Sequence, residues 1–95
     1  MARCLDNAKV NQVKQIQNNL KMNGYASSYA ELYVDDILCT AKVKCFLKHT
    51  NEVKKALAKK GFKVIDTENH QLFDKFDIIV DVSKKALSIE DCIDI

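Results

Sequence analysis

Apolar positions along this chain recur with two different periods, and the switches between them mark the elements. Leu5, Val10, Val13, Ile16 and Leu20 fall in a stripe about 140° wide at 100° per residue, the mark of a helix with one face in a core. Asp6 or Asn7 can cap its start, and Asn23-Gly24 can end it, because both residues tolerate the left-handed conformation. Further on, Ile37, Cys39, Ala41, Val43, Cys45 and Leu47 share one parity, while Thr40, Lys42, Lys44 and Lys48 occupy the other. That alternation predicts a long strand with one face in the core, although Leu38 and Phe46 interrupt its wet side.

Residues 25–36, between these two, read either way. Ser28-x-x-Glu31 matches a capping box for a short helix through Leu32, whereas Tyr29 to Val34 suits an edge strand. A second helix is expected over Asn51–Lys60, capped by Thr50, with Glu52 in its first turn and Lys59 and Lys60 in its last. Gly61 stands where a left-handed residue ends a helix, and Phe62 can fold back onto Leu57. Its apolar face is narrow: Val53, Ala56 and Leu57. Phe62–Asp66 and Phe76–Val82 read as two strands joined by a polar hairpin loop, Thr67–Lys75, into which Leu72 and Phe73 can extend the strands. In the tail, Ser88-x-x-Asp91 suits a capped helix, while Leu87, Ile89, Ile93 and Ile95 share a parity that suits a strand.

The resulting order is α-(α/β)-β-α-β-β-(α/β). The last two strands are joined too closely for a crossover helix and must be antiparallel. The expected fold is α+β: a sheet of three to four strands, antiparallel at least in part, with two main helices packed on one face. Ninety-five residues make a single domain, 1–95. Apolar residues at 47% suffice for a core, and no apolar run approaches the length of a membrane span. The opening residues carry no apolar leader, so a cytoplasmic protein without membrane contact is expected.

Composition adds a segregation of charge. Net charge is +2, yet residues 1–41 are neutral, residues 42–63 carry +7 and residues 64–95 carry −5. Fourteen of the fifteen basic residues are lysine, and two glycines are poor material for a phosphate-cradling loop. The four cysteines, Cys4, Cys39, Cys45 and Cys92, read as reduced thiols of a cytosolic protein. No pair has CxxC spacing, and on one continuous strand Cys39 and Cys45 would lie roughly 20 Å apart, too far for a bridge or a shared metal. His49 and His70 stand alone in sequence and read as surface or capping residues; neither metal nor cofactor is expected.

One string invites chemistry. Leu32-Tyr33-Val34-Asp35-Asp36-Ile37-Leu38 resembles the YxDD box of reverse transcriptases, whose aspartates hold catalytic metal ions. The resemblance covers seven residues. A polymerase of that family also needs a metal-binding carboxylate upstream, where this chain offers one helix and a loop; an Asp-Asp turn is the expected structure. No nucleophile–base pair can be assembled, so a non-enzyme is expected, with a metal-dependent enzyme using Asp35 and Asp36 as the outlying alternative.

The charged surfaces remain. Lys42, Lys44 and Lys48 share the wet side of the long strand, and Lys54, Lys55 and Lys59 the exposed side of the second helix. If contiguous, these form a basic face for nucleic acid or an acidic protein, although it has no arginine for bidentate contacts. Asp77 and Asp81, on the solvent side of the last strand, join Asp74, Glu90, Asp91 and Asp94 in an acidic third. The favoured reading is a small cytosolic binding module that docks on a larger protein, such as a phage or mobile-element inhibitor or regulator. Its acids would mimic phosphate. The alternative is a nucleic-acid binder using residues 42–63. Two copies with complementary charge would instead form a homodimer.

Overall fold

A computed structural model describes residues 4–84 of the chain. Two helices, α1 (Asn7–Met22) and α2 (Thr50–Lys59), and four strands, β1 (Tyr33–Asp35), β2 (Thr40–Phe46), β3 (Val64–His70) and β4 (Lys75–Asp81), follow one another as α1-β1-β2-α2-β3-β4. The sheet is antiparallel throughout, in the order β1-β2-β4-β3. The fold is α+β, with the expected element order. The tail expectations, with Glu90, Asp91, Asp94 and Cys92, lie outside the described residues.

Local chemistry sets the helix ends. Asp6 accepts from the amides of Ala8 and Lys9 at the start of α1. Its far end closes on Gly24 at φ 80°, with Tyr25 N donating to Leu20 O at 2.8 Å. The same motif closes α2: Gly61 has φ 88°, Gly61 N donates to Ala58 O, and Phe62 N donates to Leu57 O at 3.0 Å. Thr50 does not cap α2 as expected. A 3-10 turn at Leu47–His49 leads into the helix, Thr50 is its first residue, and its hydroxyl donates back to Leu47 O.

Both helices cover one side of the sheet. Val10, Val13, Ile16 and Leu20 of α1 and Val53 and Leu57 of α2 meet Ala41, Val43, Cys45, Phe76, Ile78 and Val80 in one core. The opposite side carries Lys42, Lys44 and Phe46 from β2. The strand register aligns these with Ile79, Asp77 and Lys75 of β4 and then with Asp66, Glu68 and His70 of β3. No described helix covers this second side.

Three strand expectations change. The long alternation starts late, because 36–39 is a turn: Asp35 Oδ1 accepts from the amides of Ile37 and Leu38, and Cys39 sits at φ 57°. Ile37, expected in the core, is 86% exposed. Residues 25–36 are neither a helix through Leu32 nor a strand from Tyr29. A turn closes from Ala30 N to Ser27 O, and only Tyr33–Asp35 pairs as an edge strand. The expected loop Thr67–Lys75 is largely strand, since Thr67 to His70 continues β3 and only Gln71–Phe73 forms the connecting turn. An edge strand solvated on its outer side tolerates such polar residues.

Because β1 is short, β2 would have an open edge beyond Lys42, the partner of Tyr33. Gln17 closes it. This residue is only 2% exposed; its Oε1 accepts from Lys44 N at 2.8 Å and its Nε2 donates to Lys44 O at 2.9 Å. Phe46 N then donates to Tyr25 O. A helix side chain and a loop carbonyl thus take the place of a strand.

The N-terminal segment docks beside the end of β4. Leu5 bridges to Ser83, Asp6 N donates to Val82 O, and Val82 N donates to Cys39 O. This brings Cys4 against Cys39 as a disulfide, their Cα atoms 5.9 Å apart. The expectation of free thiols is corrected here: Cys39 lies in the turn, not on the strand, and its partner comes from the far N-terminus. Cys45 stays a free, buried thiol.

Candidate functional site

Strand pairing gathers ionisable groups on the uncovered side of the sheet. Glu68 of β3 lies directly across from Asp77 of β4, and His70 is two residues on from Glu68, on the same face. His70 Nε2 meets Asp77 Oδ2 at 3.0 Å, and Lys42 Nζ reaches across Ile79 to Glu68 Oε1 at 3.1 Å. The hydrogen bond and charge of Glu68 hold the Lys42 ammonium above its ordinary pKa, against the opposing cost of burial. Lys42 also stands 5.8 Å from the centre of the Tyr33 ring.

Asp77 corrects an expectation. It lies on the side predicted, but it is only 7% exposed rather than solvated. The surrounding side chains form a cleft of about 480 Å³ over it, lined by Lys44, Phe46, His70, Phe73 and Lys75 and by the 27–30 turn. Tyr29, Leu72 and Phe73 stand around this end of the sheet at 90%, 94% and 70% exposure. Leu72 and Phe73 come from the turn between β3 and β4, and Phe73 lines the cleft together with Tyr29, a meeting that the polar sequence around it gave no reason to expect.

The lysines predicted as one basic face are divided between layers. Lys42 and Lys44 project from the uncovered side, interleaved with Glu68 and Asp77. Lys55 and Lys59 are exposed on α2, across the sheet, and Lys48 is exposed in the 3-10 turn before it. Lys54 sits 5.6 Å from the centre of the Phe76 ring, whose body is in the core. The acids are divided too. Asp74 is exposed in the hairpin, and its carbonyl accepts from Leu47 N. Asp81 at the opposite end accepts from Ser83 N, and Asp77 is turned into the cleft.

Asp35 and Asp36 form the expected turn, with Asp35 Oδ1 engaged by two backbone amides. His70 is exposed and His49 stands at the N-cap of α2, as a surface and a capping residue would, and each has a carboxylate neighbour. His49 Nδ1 lies 3.1 Å from Glu52 Oε1 and its ring stacks 4.5 Å from that of Tyr25, while His70 contacts Asp77. A hairpin centred between Leu72 and Phe73 would have put Glu68 opposite Asp77, but the polarity of Thr67–His70 concealed the strand that does so. Cys45, on the core side of β2, has its thiol pKa pushed up to about 11, chiefly by burial and then by the charge of Asp77.

No described helix is long and apolar enough to cross a membrane. No family model matches the chain, and no curated protein or solved structure is significantly similar to it.

Proposed function

We propose that this chain is a small binding module without catalytic machinery, which docks on a larger protein through the uncovered side of its sheet. The observation that carries this reading is the pair of exposed aromatic side chains, Tyr29 and Phe73, that line a charged cleft, with exposed Leu72 next to Phe73 in the same turn. Large apolar groups clustered at a concave site are typical anchors of protein interfaces. Lys44 and Lys75 line that cleft, and neither is within ion-pair distance of a described acid. The complementary partner segment is therefore a bulky apolar side chain flanked by carboxylates. A regulator or inhibitor of a larger machine, of phage or mobile-element type, fits a domain of this size and surface.

The division of Lys42 and Lys44 from Lys55 and Lys59, with Glu68 and Asp77 beside the first pair, disfavours a polyanion as ligand. Nucleic-acid binding draws on a continuous basic footprint. The test compares the wild type with Tyr29→Ser/Phe73→Ser and Lys44→Glu/Lys75→Glu variants of unchanged melting temperature. A partner held by the wild type, lost by both variants and rebound by purified components supports docking at the cleft. Equal retention by both variants refutes it. So does binding to single-stranded or duplex DNA that weakens steeply with salt and depends on Lys42, Lys48 and Lys55. Sedimentation of the purified chain distinguishes a hetero-partner from a homodimer.

A further inference from the structure

The cluster on β3 and β4 has a chemistry that protein docking does not use. Glu68, His70 and Asp77 each present one donor atom, and the three atoms lie within 4.8 Å of one another. Two features make the cluster more than a chance meeting of surface charges. First, a directly opposed pair and its diagonal neighbour on adjacent antiparallel strands have fixed Cβ positions, so the donors are held by the sheet rather than by a loop. Second, Asp77 is more than nine-tenths buried, and its hydrogen-bonding side-chain partner is His70, a ring charged only when protonated. A carboxylate withdrawn from water in this way is stabilised by a neighbouring cation, a part that the Lys42 ammonium plays in the absence of metal.

We propose that Glu68, His70 and Asp77 bind a divalent transition-metal ion of the zinc class, with its remaining coordination position open to the cleft. One imidazole nitrogen and two carboxylate oxygens are a donor set that zinc accepts, with bond lengths of about 2.0–2.2 Å and hence donor separations of about 3.3 Å in a tetrahedron. The His70 Nε2 to Asp77 Oδ2 distance of 3.0 Å is already near that separation. Glu68 closes the remainder by side-chain rotation. Its side chain is 47% exposed and, among the described residues, tethered by Lys42 alone, whose ammonium the metal replaces as counter-charge. The hydrogen bond that His70 now makes to Asp77 gives way as both atoms turn to the ion. Lys42 is therefore a competitor of the metal, and its removal exposes the site.

The test is a titration of the oxidised full chain with Zn²⁺ and Co²⁺, followed by calorimetry, melting temperature and the ring ¹⁵N resonances of His70. The expected result is one saturable site, a melting temperature that rises with metal by mass action, and a metal-dependent shift at His70 Nε2. His70→Ala and the near-isosteric Glu68→Gln are expected to weaken binding by at least about 10-fold, the scale on which even supporting groups of metal sites act. Lys42→Met is expected to strengthen it. The Co²⁺ complex should lack a thiolate charge-transfer band, and His49→Ala should leave binding unchanged.

The proposal is overturned by the absence of saturable binding at about 1 mM metal, where mass action would reveal even a weak site. It is equally overturned if the wild-type His70 resonances do not respond, or if binding persists in Glu68→Gln and His70→Ala. A thiolate band that disappears in Cys45→Ser would assign the metal elsewhere and overturn it too. Because the wild-type resonances report directly, a variant that fails to fold does not obscure the result. Loss of the metal site leaves the docking reading standing, since Tyr29 and Phe73 take no part in it.

Discussion

Replacing Gln17 with leucine isolates the device that closes the short side of the sheet. Gln17 is buried and satisfies both the N–H and the C=O of Lys44, at 2.8 and 2.9 Å. Leucine keeps much of the volume and offers neither bond. Two backbone groups on β2 then face an apolar side chain, each costing about 1–3 kcal/mol when left without a partner. The added apolar burial returns about 1–2 kcal/mol, so at the middle of these ranges the net loss is about 2.5 kcal/mol, a large share of a domain's usual 5–15 kcal/mol or so. Urea unfolding followed by far-UV dichroism measures it, with an unchanged m-value showing that the native and unfolded ensembles are otherwise retained. Hydrogen exchange supplies the local readout: the Lys44 amide should lose protection while the amides of Val43 and Cys45, which face β4, keep theirs. A loss below about 0.5 kcal/mol, within the range of ordinary surface substitutions, or undiminished protection at Lys44, would refute the reasoning.

Other consequences follow from the same geometry. Reducing the Cys4–Cys39 bridge, whose ends are 35 residues apart, should cost about 4 kcal/mol by the chain-entropy relation. Urea midpoints with and without dithiothreitol measure this, and Cys4→Ser should match the reduced wild type. The Cys45 thiol keeps its proton up to about 11 in the folded chain against 9.0 as its ordinary value. Its share of stability is thus intact below pH 9 and falls between pH 9 and 11, by up to about 3 kcal/mol at about 1.4 kcal/mol per unit. Cys45→Ala should remove that component of the alkaline slope in stability measured against pH. Asp35→Ala deprives the Ile37 and Leu38 amides of their acceptor and should cost about 1 kcal/mol in urea unfolding. Millimolar Mg²⁺ should leave the melting temperature of both the wild type and this variant unchanged; a rise in the wild type alone would restore the Asp35 and Asp36 metal reading.

Features decided within a few residues were legible in the sequence. The 3.6-residue stripe of α1, the Asp6 cap, the glycines that close both helices and the period-two run of β2 rest on backbone sterics and nearest-neighbour hydrogen bonds. Their sum was enough for the α+β class and the element order. Features joining distant residues were not. Gln17 lies outside the apolar residues that predicted α1, and only the docking of α1 on β2 reveals the backbone edge that it pairs with. Thr67–His70 looked like loop, since an edge strand draws its stability from pairing with β4 rather than from its own side chains.

Charge counted along the chain suggested a basic middle and an acidic end, yet spatial neighbours depend on register. The tertiary structure put Lys42 against Glu68 and set Lys55 and Lys59 on the other layer. Cys4 and Cys39 met for the same reason: the N-terminal segment pairs beside β4, a contact across the whole domain. Period and capping are properties of a local chain and can be read from it. Register, edge closure and the meeting of Glu68, His70 and Asp77 are properties of the packed sheet, in which a shift of one residue would turn each of those side chains to the other face.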